Sequence, residues 1–384
     1  MTRVLHFYKT YLPDTYGGIE QVISQIARTT EPYGVETRVL SLSARPEENS
    51  IMVGNHFAQK AKLDLHIAST GLSFSAIGMF ARMARDADII HYHFPWPMMD
   101  VAHLALRVQK PSVVTYHSDV VRQQRLLHLY RPLMLAFLNR VTRIVATSPN
   151  YLATSLTLGR FSDKIDIIPI GIDDKRAAAL PELIAKWRNR LGPTFFLFVG
   201  NTRYYKGLDF LIEAAAATGF PVAIAGGGER TGDLAAMIAR RRLGNVHLLG
   251  KVDDADKLAL LESCLGFVFP SHLRSEAFGV ALLEAAMAGR PMISCELGTG
   301  TSYVNIDGET GLVVPPANAE ALAAAMRRLW EDRRRASEMG DAARQRYEQL
   351  FTADAMGAAY AGLYQRLLQT GSSGSAVAAP PIRA

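Results

Sequence analysis

The chain has 384 residues, 49% of them hydrophobic and 20% charged, which is too long for one comfortable core, so two domains are expected and a collagenous, coiled-coil or wholly disordered chain is excluded. Apolar runs such as 195–199 and 266–270 fall far short of the roughly 20 residues of a bilayer-spanning helix, and the start, Met1-Thr2-Arg3 followed by a strand-like run, lacks the apolar core and cleavage site of a signal peptide, so a cytosolic location is expected. The formal charge of +6 is uneven, with 20 Lys and Arg against 15 Asp and Glu in residues 1–180 and 22 against 21 in the remainder; a basic first half suggests an anionic partner such as a lipid headgroup layer or nucleic acid.

Short apolar runs alternate with amphipathic stretches throughout, the pattern of parallel strands joined by crossover helices. In the first half, strands are predicted at 4–8, 36–42, 89–93, 112–116, 143–147 and 164–168. A long loop follows the first, and Gly17 and Gly18 then open a helix; adjacent glycines let backbone approach a ligand with no Cβ in the way. The loop lacks Gly-x-Gly-x-x-Gly spacing, so a nicotinamide cofactor loses its main support. Asp86-Ala87-Asp88 precedes its strand and lies at the edge away from a cleft. His91 and His93 alternate onto one strand face with no third ligand at good spacing, so cleft lining or satisfied core histidines are expected rather than a metal. His117 follows the next strand. Ser118 and Asp119 beside it make no hydrolase triad, since adjacent residues at a strand end point apart and no Gly-x-Ser-x-Gly elbow exists. Residues 122–143 carry Arg122, Arg125, Arg131, Arg140 and Arg143 and no acid, interleaved with leucines and broken by Pro132. That segment suits an anionic bilayer surface or, alternatively, a core-packing helix with solvated arginines. Nucleic acid is not expected, because no recognised module or aromatic stacking platform accompanies the charge.

Residues 169–173 break the periodicity and read as an interdomain link. Beyond them strands are predicted at 195–200, 221–225, 246–250, 266–270, 292–295 and 311–313. Each half therefore reads as its own doubly wound sheet, with ligands expected beyond the strands' carboxyl ends, in the crevice between the two. After the strand at 195–200, Arg203 and Lys206-Gly207 lead into a helix, and two cations near free amides suit a diphosphate; the bland alternative is a solvated helix start. The spacing is not that of a P-loop. Asp254-Ala255-Asp256 reads as a helix N-terminus. Cys264 and Cys295 read as buried thiols. The strongest local signal is Ser275-Glu276-Ala277-Phe278-Gly279-Val280-Ala281-Leu282-Leu283-Glu284-Ala285, a strand-to-helix crossing in which the amides around Phe278, Gly279 and Val280 favour an anion or sugar oxygens. At about 1.5 Å per helical residue, Glu284 stands roughly 7–8 Å along the axis from Gly279. That separation suits the two ends of a sugar nucleotide; the competing reading makes both glutamates surface charges. The tail 371–384, rich in Gly, Ser, Ala and Pro, is predicted to be disordered.

Together these segments resemble the retaining glycosyltransferases of family 4, over about residues 3–368. The most specific piece is Glu276-x7-Glu284 set in Ser-Glu-Ala-Phe-Gly, Leu-Leu-Glu-Ala and Ala-Gly-Arg-Pro, supported by the Gly-Gly loop, His117 and Lys206-Gly207. The resemblance implies an α/β GT-B fold of two facing Rossmann-like domains. Residues 1–175 with a returning helix at 353–368 form the acceptor domain, and residues 176–352 the nucleotide-sugar donor domain. It further implies that Glu276 contacts the transferred sugar, Glu284 the ribose and Lys206 the diphosphate. Gly17 and Gly18 approach that diphosphate, His117 lies near the sugar C6 and the reaction centre, and the backbone at Val252 helps hold the base. Two departures stand out. Gly200-Asn201 replaces the usual Gly-Arg, so the second diphosphate cation is either missing or supplied by Arg203, and residues 298–304 replace Gly-Gly-x-x-Glu.

The segments 7–13, 93–97 and 116–119 are similar to mannosyl- and D-rhamnosyltransferases that build O-antigen or common polysaccharide from GDP-sugars. The resemblance thus implies retaining transfer of mannose or D-rhamnose from a GDP donor to a lipid-linked saccharide, without metal or other cofactor, by a cytoplasmic enzyme peripheral to the inner face of the plasma membrane. A sugar-nucleotide epimerase of the same architecture and a non-catalytic nucleotide-sugar-binding subunit are the alternatives.

Overall fold

The first strand, β1 (Thr2–Phe7), buries Val4, Leu5, His6 and Phe7, as a central parallel strand covered on both faces must. Around it assemble β2 (Val35–Ser43), β3 (Ile51–Val53) and β4 (His56–Lys62), while β5 (Leu65–Ile67) and β6 (Thr70–Leu72) form a separate hairpin; β7 (Ile89–Phe94), β8 (Ser112–Tyr116), β9 (Arg143–Ala146) and β10 (Ile165–Ile167) complete the sheet. The spatial order is β10-β9-β8-β7-β1-β2-β4-β3, and β3 against β4 is its antiparallel pair. This computed structural model describes residues 1–47, 49–67, 70–120 and 124–372. Strand order diverges on either side of β1, so the loops after β1, β7 and β8 crowd one carboxyl edge.

A second, wholly parallel sheet contains β11 (Phe196–Val199), β12 (Val222–Ala225), β13 (Val246–Gly250), β14 (Gly266–Phe269), β15 (Met292–Cys295) and β16 (Gly311–Val314), in the order β13-β12-β11-β14-β15-β16. Its order diverges between β11 and β14, which brings the turns that follow those two strands together. The two sheets make an α/β pair of Rossmann-like domains.

Residues 51–72 are an addition to the predicted strands. On β4 the inward positions are His56, Ala58 and Lys60, while Phe57 faces out, so its buried stripe is too polar to register as one. The returning helix spans Ala353–Ser372, longer than the expected 353–368, because extending a helix by another turn needs no new nucleus. Gly371 and Ser372 thus belong to it, and the rest of the expected tail, 373–384, lies outside the described residues. This helix packs on the first domain, where Tyr364 Oη lies 2.7 Å from His91 Nδ1 and Tyr360 Oη 2.8 Å from Thr115 Oγ1. The link and the return run side by side, joined by a bridge between Ile172 and Thr352.

Helix Gln124–Arg140 divides along its length. Met134, Phe137 and Leu138 enter the core, whereas Leu126 and Leu129 are 51% and 81% exposed. Arg143 belongs to β9 and donates to Asp166 at 2.8 Å, so it is not part of a basic helical face. Arg122 and the side chain of Arg125 lie outside the described residues.

Candidate active site

The loop after β1 ends at Gly17, the N-cap of helix Gly18–Thr30. A Cβ on Gly18 would meet nothing within 4 Å, whereas one on Gly17 would lie 2.3 Å from Glu20 Oε2. Gly18 therefore leaves open backbone, and Gly17 makes room for a buried carboxylate that accepts from Thr15 Oγ1 at 2.9 Å. Lys60, reaching up from β4, donates to the Tyr11 carbonyl at 2.9 Å and sits 3.5 Å from Asp14; burial pulls its ammonium below the usual lysine range, with Asp14 opposing. Neither Glu20 nor Lys60 was among the sequence-derived site residues. An acid two positions after a Gly-Gly pair marks the first, but only the β2-β4 pairing reveals the second. His117 follows β8; its amide donates to Phe94 O at 3.1 Å, and burial depresses its imidazole to about 3.

Across the cleft, the turn after β11 runs through exposed Arg203 into the short 3-10 helix Tyr204–Lys206. Gly207 has φ +65°, and a Cβ there would lie 2.0 Å from Pro270 O; only glycine lets this turn close on the end of β14. The approach delivers Lys206 to Glu276, with Nζ 2.5 Å from Oε2. Ser271 Oγ also donates to that carboxylate at 3.0 Å, and Lys206 Nζ lies 4.5 Å from the centroid of the Phe269 ring. Glu276 and Lys206 are thus brought together as a pair, each side chain about one-tenth exposed. Gly279, at φ +87°, caps helix Val280–Met287, and Phe278 buries its ring in the core, so Phe278 offers a ligand its backbone and not its side chain.

Four residues onward in that helix from Val280, Glu284 accepts from Lys257 Nζ at 2.7 Å. It lines a cavity of about 320 Å³ shared with Tyr16 and Arg28 of the first domain and with Asp173 of the link. Val252 is half-buried in the turn after β13, outside that cavity's lining. Arg203 lies near enough to Lys9 to help depress its ammonium, after the larger effect of burial, so the turns of the two sheets face one another. Arg274, two residues before Glu276, crosses the cleft to Asp119 at 3.4 Å and donates to Thr154 Oγ1 at 3.0 Å.

Residues 16–176 match the profile of Glycosyltransferase Family 4 and residues 181–346 that of Glycosyl transferases group 1. The chain is 54% identical over 339 residues to the D-rhamnosyltransferase WbpZ of Pseudomonas aeruginosa, covering 88% of this chain and 89% of that protein. It belongs to glycosyltransferase family 4. The O-antigen chain mannosyltransferase C of Escherichia coli is 46% identical over 339 residues, 88% of this chain and 91% of that one. Among solved structures, sucrose-phosphate synthase from Thermosynechococcus elongatus superposes with a TM-score of 0.80 at 21% identity, covering 96% of this chain and 100% of that chain. Anabaena HepE in complex with UDP and glucose does so with a TM-score of 0.77 at 17% identity, covering 95% and 100%. These likenesses show the GT-B fold.

The chain is thus a glycosyltransferase. None of its described helices is long and apolar enough to cross a membrane. Acids of the two Asp-Ala-Asp pairs have structural partners, and Asp254, 3.1 Å from Lys257, also lines the Glu284 cavity. Asp88 binds Arg3 at 2.9 Å. Asp256 accepts from Lys186 at 2.9 Å and Trp187 Nε1 at 2.8 Å, on a helix whose N-cap is Asp253. Burial pushes both thiols, Cys264 and Cys295, up to about 12.

Proposed function

We propose that this enzyme transfers mannose or D-rhamnose from a GDP donor to a lipid-linked saccharide in O-antigen or related surface-polysaccharide assembly, retaining the anomeric configuration and using no metal. The observation that carries the reading is the Lys206–Glu276 pair at the mouth of the second sheet. An ammonium there compensates charge on a departing diphosphate, while the carboxylate beside it accepts hydrogen bonds from the sugar hydroxyls. Glu284, in the helix that follows Glu276, takes the ribose, and the exposed backbone at Gly18 and the amide of the Gly279 cap approach the diphosphate. In the step itself, the bond between C1 and the phosphate oxygen breaks as the acceptor oxygen bonds to C1 on the same face. The acceptor's proton passes to the leaving phosphate. The relatives' names support the sugars, and the uncovered Leu126 and Leu129 beside Arg131 support docking on an anionic inner-leaflet surface.

The test is transfer by purified enzyme to a lipid-linked acceptor from GDP-mannose, GDP-D-rhamnose and UDP-hexoses, with and without chelator. The expected product is a retained glycoside from a GDP donor, unaffected by chelation. Transfer from UDP-sugars alone, or donor conversion with no acceptor glycosylated, overturns the proposal. Sedimentation with vesicles rich in anionic lipid, absent with neutral vesicles, checks the docking surface.

A further inference from the structure

Beneath His117 a row of imidazoles crosses three neighbouring strands. His6 on β1 is in register with His91 on β7, His93 stands one alternation further along β7, and His117 lies just past the end of β8, so the row climbs toward the carboxyl edge. Nδ1 of His6 lies 2.9 Å from Nε2 of His93, and Nδ1 of His93 lies 3.0 Å from Nε2 of His117. His6 and His93 are fully buried and His117 keeps 7% exposure. Burial depresses all three, His6 and His117 to about 3, so each ring is neutral near pH 7.

A neutral imidazole has one N–H and one lone pair. Two ring-to-ring bonds use two of the three protons, and the third must sit at one end of the row. If every ring is protonated at Nε2, the stranded N–H is that of His6, whose Nε2 is buried and without a hydrogen-bond partner among the described residues. If every ring is protonated at Nδ1, only a lone pair is stranded at His6, and the third N–H belongs to His117. Orphaned buried N–H groups are the rarer defect in proteins. We infer that His6 and His93 are positioning residues that hold His117 in its Nδ1–H form, so that His117 offers the cleft a hydrogen-bond donor and not a base. That this donor meets a substrate oxygen rests on the transfer reading above.

The row is a dead end for protons, since its inner nitrogen meets no partner among the described residues. His91 stacks against it without joining it, because its two nitrogens are engaged by Tyr364 and Thr115, each at 2.7 Å. His6, His91 and His93 are close enough for a shared metal to be considered. Five of their six nitrogens are already hydrogen-bonded, however, and the rings of His91 and His93 lie face to face, 19° apart, so their lone pairs do not converge.

The test is nitrogen NMR on the full chain labelled at histidine, whose shifts separate protonated from bare ring nitrogens. His6→Gln, His93→Gln and His117→Gln assign the three signals among the 10 histidines. All three rings should be Nδ1–H at neutral pH; Nε2–H at His93 or His117 overturns the inference whatever donor the enzyme uses. In kinetics, His93→Gln, whose amide donates to His117 while its carbonyl accepts from His6, should stay within about 3-fold of wild-type kcat, and His93→Leu should lose at least about 10-fold in kcat with donor KM little changed. Wild-type kcat in His93→Leu overturns the positioning role. Should His93→Leu not fold, the NMR of the unsubstituted enzyme decides alone. Wild-type enzyme that uses no GDP-sugar would instead sink the transfer reading and leave the tautomer result standing.

Discussion

Lys206 and Glu276 hold each other where neither charge is well hydrated, with Ser271 as the carboxylate's other donor. Breaking such a pair from one side strands a charge, whereas neutralising both sides does not. Lys206→Met should therefore destabilise the fold by on the order of 1–3 kcal/mol, and Lys206→Met with Glu276→Gln should recover much of that loss in thermal unfolding while remaining inactive. Equal melting temperatures for the single and double variants would contradict the coupling. Glu276→Gln alone should lower kcat by about 10²-fold or more with the circular dichroism unchanged; retained full turnover removes Glu276 from the site.

Short turns aim these residues. Gly207 packs on Pro270 O because the β11 and β14 turns share the carboxyl edge where strand order diverges. Gly207→Ala adds a Cβ both at positive φ and against a carbonyl. It should cost more than about 1 kcal/mol and abolish transfer by lifting Lys206 from Glu276, which kinetics and thermal melts on one preparation check. On the opposite side, Lys60 ties the loop after β1 to β4 through Tyr11 and Asp14. Lys60→Met fills the same space without the bond, and should lower kcat/KM by about 10-fold with little change in secondary structure. The β11 and β14 turns were legible because the glycines, Lys206 and Glu276 stand in short sequence windows. The Lys60 clamp was not, since 49 residues separate it from Tyr11 and its strand has a polar buried stripe.

Over the whole chain, Arg274 spans from the segment before Glu276 to Thr154 and to Asp119, two residues past His117, linking closure of the domains to assembly of the two half-sites. Arg274→Ala should shift the ligand-free enzyme toward a more open form, seen as a larger radius of gyration in solution scattering. An unchanged scattering profile would show that closure does not depend on this contact. The buried histidines make a second property global. His6 and His117 are held at about 3, His56 and His103 at about 4, all below the usual 6.5. Below 6.5 the unfolded chain binds protons that the folded one refuses, so stability falls as pH drops from 6.5 toward 4, by about 1.4 kcal/mol per pH unit for each such group. Urea midpoints at pH 7, 6 and 5 should decline steeply, and a flat series would mean that these rings are protonated in the fold.

Strand periodicity, the divergence of two doubly wound halves and the Glu276-to-Glu284 helix start could all be read directly along the chain, because each is a local pattern in which neighbouring residues share one backbone geometry. The pairing of Lys206 with Glu276, the hold of Lys60 on the first loop, the bridge from Arg274 to Asp119 and the row from His6 through His93 to His117 emerged only on folding. Each joins residues far apart in sequence, and a hydrogen bond depends on distance and orientation in space, which spacing along a chain does not encode.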